Sequence, residues 1–340
     1  MKENILEVNN LHVSFKTRNG AITAVRGVNF SVKKGNTIAI VGESGSGKSV
    51  TAKSIMRLLP KQNTIIPEGN IKYENRDLLS LPLKDMQKVR GSEISMVFQD
   101  PMTSLNPTMK IGKQIMEGLT KHQTLSKKQA KQRALEMLEL VGIPNAKSRL
   151  EAYPHQFSGG MRQRVVIAMA LACNPKVLIA DEPTTALDVT IQAQILDLMK
   201  DLQEKMDTAI VLITHDLGVV ANMADTVAVM YAGEIVEYGT LDEIFYETQH
   251  PYTLGLLRSM PNVNASKSEP LIPIPGSPPD LATLGTGCPF AARCPYTMAV
   301  CHDHHPETTQ LSDSHSVSCW LQDSRTPSDH APEIVGSAAR

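Results

Sequence analysis

The chain of 340 residues is longer than one compact domain usually is, so a main domain with a smaller unit or tail is expected. Lys and Arg number 34 and Asp and Glu number 35, which gives a net charge of −1. A chain with this balance has no overall positive field to attract nucleic acid or anionic lipid, so both are disfavoured as partners. Hydrophobic residues at 41% and charged residues at 20% exclude wholesale disorder. The sequence shows neither an apolar run long enough to span a membrane nor the apolar start of a signal peptide, so we expect a cytosolic protein.

The N-terminal part predicts a β layer followed by a buried strand. Apolar residues alternate over residues 5–15 and again over residues 28–32, after a turn at Asn19-Gly20, which indicates antiparallel strands. Thr37–Val41 is a continuous apolar run bounded by glycines, as expected of a strand buried on both faces of a mostly parallel sheet.

A glycine-rich segment follows this strand at once. Residues 42–49 read GESGSGKS and precede a helix predicted over residues 49–59. They fit G-x-x-x-x-G-K-[ST], in which backbone N–H groups cradle phosphate oxygens. Lys48 is predicted to reach the β and γ phosphates, and the Ser49 hydroxyl to ligate Mg²⁺. The predicted ATP-binding residues of this segment are Gly42, Ser44, Gly45, Gly47, Lys48 and Ser49.

A helical insert is predicted over residues 103–160, where no strand pattern appears. Within it, Ser126 and Gln129 form a capping-box pattern that begins an amphipathic helix, and Gly142 ends it. After the insert, two further apolar runs at residues 177–180 and 210–213 flank a helix over residues 190–205. This alternation favours an α/β fold with a parallel sheet.

Three polar residues follow these runs where chemistry is expected. Asp181 ends the first run and is a candidate Mg²⁺ ligand, while Glu182 is placed to polarise an attacking water. His215 follows the second run and is a candidate contact for the γ phosphate. Each pattern alone is often a solvated strand end or a structural histidine. Combined with the phosphate-binding segment, they indicate hydrolysis.

A second glycine-rich turn decides the family resemblance. Residues 157–164 read FSGGMRQR and begin a helix predicted over residues 162–172, which offers another anion-binding N-terminus. With this turn, the sequence resembles the nucleotide-binding subunits of ATP-binding-cassette (ABC) transporters. The resemblance implies that Ser158, Gly159 and Gly160 contact the γ phosphate of ATP held by another subunit.

The same resemblance assigns further residues. It implies that Gln99 senses Mg²⁺ and the transmembrane partner, that residues 186–188 form the D-loop with Asp188, and that Phe15 stacks on adenine. The alternative for Phe15 is a strand core residue. Because one set of motifs is present, a composite site requires a second copy or a paralogous subunit in a head-to-tail dimer. Phe157 and Met161 stand where the family usually has Leu and Gln.

A narrower resemblance comes from segments outside the ATPase motifs. Residues 97–107, 153–164, 250–253, 274–279 and 287–294 look like those of oligopeptide/dipeptide permease ATPases, and the likeness covers about residues 5–320. That subfamily imports peptides, and in some members nickel or other small solutes. The resemblance implies two permease subunits, an extracytoplasmic solute-binding protein and a paralogous second ATPase. It places the chain, the first ATPase of the pair, peripherally on the cytoplasmic face of the cell membrane.

The C-terminal third changes composition. We predict a nucleotide-binding domain over residues 1–260, a connector over residues 261–286 with six prolines between residues 261 and 280, and a Cys-rich extension over residues 287–321. Residues 322–340 form a polar tail that is expected to be disordered.

Four cysteines of the extension form a candidate metal site. Cys288, Cys294, Cys301 and Cys319 have the spacing C-x5-C-x6-C-x17-C, and four thiolates can enclose Zn²⁺ or an iron–sulfur cluster. The spacing matches neither usual zinc knuckle, and the resemblance favours a 4Fe-4S cluster over zinc. The alternative is reduced thiols that pack a small unit. Cys173 lies in an apolar helix and is expected to be core.

Together these features predict an α/β P-loop NTPase of the ABC ATPase type, with an antiparallel β layer, a helical insert and a Cys-rich extension. The predicted function is hydrolysis of ATP to ADP and phosphate, with Mg²⁺, to drive import of oligopeptides or dipeptides. Four alternatives stay open. They are a nickel or other small-solute importer, a soluble ABC ATPase of translation or DNA repair, an ATPase governed by the redox state of its cysteines, and an exporter.

Overall fold

The protein is described by a computed structural model, in which residues 3–18, 20–185, 188–260 and 273–326 are described. Several predictions fall outside these residues: Asn19 of the first turn, D-loop positions 186 and 187, the connector over residues 261–272, and the tail from residue 327. No helix of the described ranges is long and apolar enough to cross a bilayer.

The strands are β1 (Asn4–Thr17), β2 (Gly20–Lys33), β3 (Thr37–Val41), β4 (Thr64–Ile65), β5 (Asn70–Tyr73), β6 (Arg76–Asp77), β7 (Ile94–Val97), β8 (Val177–Asp181), β9 (Ala209–Thr214), β10 (Thr226–Tyr231), β11 (Glu234–Thr240), β12 (Thr309–Gln310) and β13 (Ser316–Val317). The helices are α1 (Lys48–Ile55), α2 (Leu83–Val89), α3 (Pro101–Ser104), α4 (Ile111–His122), α5 (Lys127–Leu140), α6 (Ala146–Arg149), α7 (Gly159–Leu171), α8 (Val189–Met206), α9 (Leu217–Met223), α10 (Leu241–Tyr246), α11 (Pro251–Arg258) and α12 (Ala299–Asp303). Short 3₁₀ turns cover Pro154–Gln156, Ala291–Arg293 and Trp320–Gln322.

The chain forms two compact units, and each is discontinuous in sequence. The first comprises Met1–Leu6, Ser31–Thr37 and Lys72–Ile213. The second comprises Glu7–Phe30, Ile38–Ile71 and Thr214–Arg340. The boundaries at residues 260, 286 and 321 divide the chain differently and stay predictions.

The first unit contains a parallel sheet in the order β9-β8-β7. Val177 of β8 pairs with Ile94 of β7 on one side and with Ala209 of β9 on the other. Every residue of β8 and β9 is buried. This agrees with their continuous apolar runs, which are typical of strands covered on both faces of a parallel sheet. The predicted α/β alternation is therefore confirmed.

Between β7 and β8 the first unit is helical. Helix α5 begins with the predicted capping box: Ser126 Oγ accepts from the Gln129 N–H at 3.3 Å, and Gln129 Oε1 accepts from the Ser126 N–H at 2.9 Å. Its apolar side, including Leu138, is buried, and the helix ends before Gly142, which has a φ of 72°. Helix α7 packs against β7, α4 and α5.

The second unit carries strands in the order β12-β13-β11-β10-β3. β10 runs parallel to β3, with Val227 opposite Ala39, and antiparallel to β11. β13 of the Cys-rich extension pairs with β11, placing Val317 opposite Glu237. The extension is thus built onto the edge of this sheet.

Three buried aromatic rings join the extension to the sheet within the second unit. Tyr231 ends β10, Tyr252 lies in α11, and Phe290 belongs to the extension. The ring centroids lie 4.6 Å apart for Tyr231 and Tyr252 and 5.2 Å apart for Tyr231 and Phe290. Tilted and edge-to-face rings at these distances attract one another beyond the burial of their area.

The predicted antiparallel layer is present, and two helices differ from their predicted bounds. β2 lies beside β1, and β4 pairs antiparallel with β1, Ile65 opposite Ser14. Helix α1 ends at Ile55 rather than at residue 59, since Arg57 has a left-handed φ of 48°. Helix α7 begins at Gly159 rather than at residue 162, because Ser158 caps it.

Candidate functional site

The phosphate-binding segment forms a tight loop between β3 and α1. Gly42 has a φ of 150°, and a Cβ there would lie 2.1 Å from the Met230 carbonyl oxygen. At Gly47, φ is 104° and a Cβ would lie 2.6 Å from the Ala24 carbonyl oxygen. Only glycine fits such positions, because both the φ angle and the neighbouring backbone exclude a side chain. Ser44 and Gly45, in the middle of the loop, are exposed.

Lys48 is drawn back onto the loop that carries it. Its Nζ donates to the Gly42 carbonyl at 2.7 Å and to the Glu43 carbonyl at 2.8 Å, and the residue is buried. Ser49, the second residue of α1, is half-buried. The loop therefore presents a fixed cation and a hydroxyl at a helix N-terminus, as phosphate and Mg²⁺ binding require.

Two residues outside this loop hold it in place, and the sequence patterns assigned no role to either. Arg293 of the extension donates two hydrogen bonds to the Glu43 carboxylate, and the Tyr252 hydroxyl accepts from the Glu43 N–H at 2.8 Å. Tyr252 and Arg293 both lie in or beside segments that carried the family resemblance. That resemblance was the available signal, although it does not say what the residues contact.

In the first unit, Glu182 is brought together with Gln99. Asp181 ends β8 and is buried, and Glu182 follows with a left-handed φ of 48°. Glu182 Oε2 accepts from Gln99 Nε2 at 2.8 Å and from Thr185 Oγ1 at 2.9 Å. A non-glycine residue in this region is strained, and such strain concentrates at functional sites. The bond uses the amide nitrogen of Gln99, so the predicted contact with Mg²⁺ would have to use the amide oxygen, the atom able to act as a ligand.

The second glycine-rich turn lies on the surface of the first unit. Ser158 and Gly159 are exposed, and Ser158 Oγ accepts from the Met161 N–H at 3.4 Å to cap α7. Phe157, which replaces the usual Leu, is buried beneath the Arg149 guanidinium at 5.3 Å from the ring centroid.

Three other predicted site residues lie at the ends or on the faces of strands and helices. Asp188 caps α8 by accepting from the Ile191 N–H at 2.9 Å. Phe15 is half-buried on β1 opposite Thr64, and His215 is exposed after β9. The roles of Phe15 in adenine stacking and of His215 at the γ phosphate stay predictions.

The four extension cysteines are free thiols. The pKa of Cys288 and of Cys294 is raised to about 11 and that of Cys319 to about 12, chiefly by burial and to a lesser extent by the charges of neighbouring cysteines, Cys301 among them. Over the ranges that the structure describes, no group of three or more Cys, His, Asp or Glu side chains is arranged to hold a metal ion. Cys173 is buried, as predicted.

Comparison with known proteins decides the family. Residues 25–185 match the ABC transporter family, and residues 236–301 match the family described as oligopeptide/dipeptide transporter, C-terminal region. The oligopeptide transport ATP-binding protein OppD of Bacillus subtilis is 60% identical over 336 residues, which are 99% of this chain and 94% of that protein. The chain is an ABC transporter ATPase of the oligopeptide/dipeptide branch.

Further relatives support this ABC ATPase assignment. The dipeptide transport ATP-binding protein DppD of Lactococcus lactis is 58% identical over 96% of this chain and 93% of that protein. Among solved structures, cbiO1 from Clostridium perfringens, part of an ABC transporter complex, has a TM-score of 0.63 at 30% identity, covering 72% of this chain and 92% of that one. A dimeric ATP-binding cassette bound to ADP and Pi, MJ0796, has a TM-score of 0.62 at 30% identity, covering 69% of this chain and 98% of that one.

Membership confirms the ABC ATPase fold class and the hydrolysis of ATP. ABC transporter ATPases work as dimers beside membrane-embedded permeases, so permease partners and a second ATPase are implied. The matched C-terminal region ends at residue 301 and includes Cys288, Cys294 and Cys301.

Proposed function

We propose that this chain hydrolyses ATP to energise import of oligopeptides or dipeptides through a membrane ABC transporter. The similarity to OppD and DppD over almost the whole chain carries this proposal, because it includes the C-terminal region as well as the ATPase motifs. An importer of nickel or other small solutes is the second candidate. The matched oligopeptide/dipeptide region favours peptides.

The phosphate loop and its surroundings would bind Mg²⁺ and ATP. The backbone N–H groups of the loop and Lys48 would hold the phosphates, and Phe15 would stack on adenine. Mg²⁺ prefers oxygen donors, and we propose as its ligands the hydroxyl of Ser49, the carboxylate of Asp181 and the amide oxygen of Gln99, each of which is a donor of this kind. When bound, Mg²⁺ would neutralise charge on the β and γ phosphates.

Glu182 would act on the attacking water. Its strained backbone and its two hydrogen bonds hold the carboxylate in one place, which suits a group that must polarise a water in a defined direction. Gln99, which we propose senses the transmembrane partner, donates directly to this carboxylate. His215 would contact the γ phosphate end.

The second glycine-rich turn, residues 157–164, is called the signature turn from here on, and its exposure supports a composite site. Ser158 and Gly159 are accessible, so a second ATPase could bring its bound ATP against them. Asp188 of the D-loop caps α8 by accepting from the Ile191 N–H. We propose a head-to-tail heterodimer with a paralogous ATPase, with a homodimer as the alternative. ATP closes the dimer and hydrolysis reopens it, which supplies the two states that coupling needs.

The wider assembly follows from the family. We propose that the chain lies peripherally on the cytoplasmic face of the membrane, with two permease subunits and an extracytoplasmic solute-binding protein. The solute is then chosen by the binding protein and permeases, while the ATPase supplies the conformational work.

We propose further that Cys288, Cys294, Cys301 and Cys319 hold a 4Fe-4S cluster. Cys288, Cys294 and Cys301 lie near enough to Cys319 to raise its pKa, which supports the proposal, and a cluster separates its ligands more widely than one zinc ion does. Such a cluster would crosslink the small extension. Anaerobic purification should give iron and sulfide that Cys288→Ser loses; stoichiometric zinc would contradict the proposal.

Glu182→Gln tests the hydrolytic role. The variant should bind ATP and close the dimer, while turnover falls about a hundredfold or more, because an amide cannot accept the proton. Glu204→Gln, an exposed substitution on α8, is the matched control and should hydrolyse ATP normally. Sustained hydrolysis by Glu182→Gln would remove Glu182 from the mechanism.

Affinity purification from the native host tests the importer. Gentle solubilisation of membranes should recover two permeases, a second ATPase and a solute-binding protein with the tagged chain. Recovery with ribosomal or DNA-repair proteins from the soluble fraction would instead refute transport and leave the ATPase chemistry intact.

A further inference from the structure

A buried arginine of the Cys-rich extension holds the second residue of the phosphate loop. Arg293 Nη1 donates to Glu43 Oε2 at 2.6 Å, and Arg293 Nη2 donates to Glu43 Oε1 at 2.9 Å, across 250 residues of sequence. Only 5% of the Arg293 side chain is exposed. We propose that Arg293 is a positioning residue for ATP binding, acting through Glu43. This inference rests on the proposed binding of ATP by the loop.

Arg293 is itself held in place before any nucleotide arrives. Its Nε donates to the Pro275 carbonyl at 2.8 Å, and its Nη1 also donates to the Tyr231 hydroxyl at 3.3 Å. The guanidinium carbon lies 5.8 Å from the Tyr231 ring centroid and 6.0 Å from that of Phe290. A planar guanidinium fixed on every side can offer its two parallel donors in one direction only.

Glu43 passes this position on to the loop, because each of its polar groups has a partner. Its N–H donates to the Tyr252 hydroxyl at 2.8 Å, and its carbonyl accepts from Lys48 Nζ at 2.8 Å. Its carboxylate receives Arg293. A shift of Glu43 therefore moves the carbonyl that fixes Lys48, the cation expected to reach the β and γ phosphates.

Arg293 also neutralises the negative charge of Glu43. Glu43 places a carboxylate in a loop built to receive a polyanion, and an uncompensated negative charge there would repel ATP. Arg293 neutralises it through two charge-assisted hydrogen bonds. Loss of Arg293 alone should therefore harm ATP binding more than loss of Arg293 and Glu43 together. A purely structural pair predicts no such rescue.

The experiment measures binding of a fluorescent ATP analogue, mant-ATP with Mg²⁺, to the full chain purified anaerobically. Arg293→Gln should raise the Kd about tenfold, with a larger effect at low salt, because the exposed carboxylate repels the phosphates. The double variant Glu43→Gln/Arg293→Gln should return to within about threefold of the parent. Arg325→Gln, in an exposed pair with Asp323 beyond the last cysteine, is the matched control and should bind normally.

Two further variants keep the result interpretable. If Arg293→Gln does not fold, Arg293→Lys retains the charge without the two-pronged geometry, and its Kd should lie between those of the parent and the charge-deleted chain. Iron content is measured throughout, because Arg293 precedes Cys294. Lys48→Ala serves as the reference variant, because it removes the side chain expected to bind the phosphates and so shows the Kd of a disabled phosphate loop.

The outcomes separate the two proposals. Parent-like affinity of Arg293→Gln, or a double variant that binds as weakly as Arg293→Gln, overturns the positioning role. A parent chain that does not bind mant-ATP, or one whose binding survives Lys48→Ala, counts against the proposed nucleotide site instead.

Discussion

Two glycine-rich turns in this chain begin helices, and their surroundings are opposite. In the phosphate loop, a Cβ at Gly42 would lie 2.1 Å from the Met230 carbonyl oxygen. In the signature turn, a Cβ at Gly159 would meet no heavy atom within 4 Å among the residues that the structure describes, apart from its chain neighbours and the backbone of its own helix. The phosphate loop is packed against the backbone of other strands in its unit, and Lys48 is buried within the loop. In the signature turn, Ser158 and Gly159 are exposed.

The difference shows that glycine is needed for two separate physical reasons. In the phosphate loop, glycine permits a backbone conformation and a close approach within the same unit. In the signature turn, a Cβ at Gly160 would meet Ile191 Cγ2 at 2.7 Å, whereas none of the residues that the structure describes crowds a Cβ at Gly159. At Gly159, a requirement for glycine would therefore come from what approaches the turn from outside. We expect substitutions to reveal this contrast as a loss of stability in one turn and a loss of hydrolysis in the other.

The largest effect is expected for Gly42→Ala. The new methyl would meet the Met230 carbonyl in a left-handed backbone, so the second unit must distort. We expect a loss of about 4 kcal/mol or more in the free energy of unfolding, and loss of mant-ATP binding. Urea unfolding checks the first result and fluorescence titration the second. A parent-like unfolding midpoint would show that the loop relaxes at little cost.

A smaller, selective effect is expected for Gly159→Ala. Stability should change by less than about 0.5 kcal/mol, since the methyl meets nothing and Gly159 has no positive φ. ATP binding to the chain's own loop should be retained, while hydrolysis in the assembled transporter falls about tenfold or more, because the methyl lies where the partner's ATP would arrive. Gly118→Ala on α4 is the matched control, as its Cβ also meets nothing. If the transporter with Gly159→Ala hydrolyses ATP as fast as the one with Gly118→Ala, the composite site is contradicted.

The smallest effect is expected for the pH dependence of stability in the second unit, which carries the phosphate loop. His315 Nε2 lies 3.0 Å from Glu237 Oε1, and this hydrogen bond raises the pKa of His315 above 6.5. The pair therefore contributes its full stability below about pH 6.5, and the contribution is lost as pH rises through the folded-state pKa.

His315→Gln should accordingly cost about 1 kcal/mol of stability at pH 6 and less at pH 9. Thermal unfolding at the two pH values measures the difference, and the exposed His302→Gln is the control. An equal cost at both pH values would show that the ring stabilises β13 by packing alone. The signature turn, in the other unit, should keep its properties at both pH values.

Local patterns predicted much of the fold. The buried runs at β3 and β8 and the Ser126 capping box are where the sequence places them, because each depends on residues within a few positions of one another. The end of α1 was missed, since the left-handed φ of Arg57 leaves no mark in residue type. The strained φ of Glu182 was missed for the same reason.

The sequence by itself determined the chemistry that short motifs can carry: a phosphate loop, an acidic pair after a buried strand, and a second glycine-rich turn. Such motifs are contiguous, so the chain brings their atoms together whatever the rest does. Only the tertiary structure decided that Gln99 donates to Glu182 across 83 residues, and that Arg293 reaches Glu43 across 250. These pairings depend on which strands lie side by side and where the extension joins the sheet, and that order follows from burial of the whole core rather than from any local pattern.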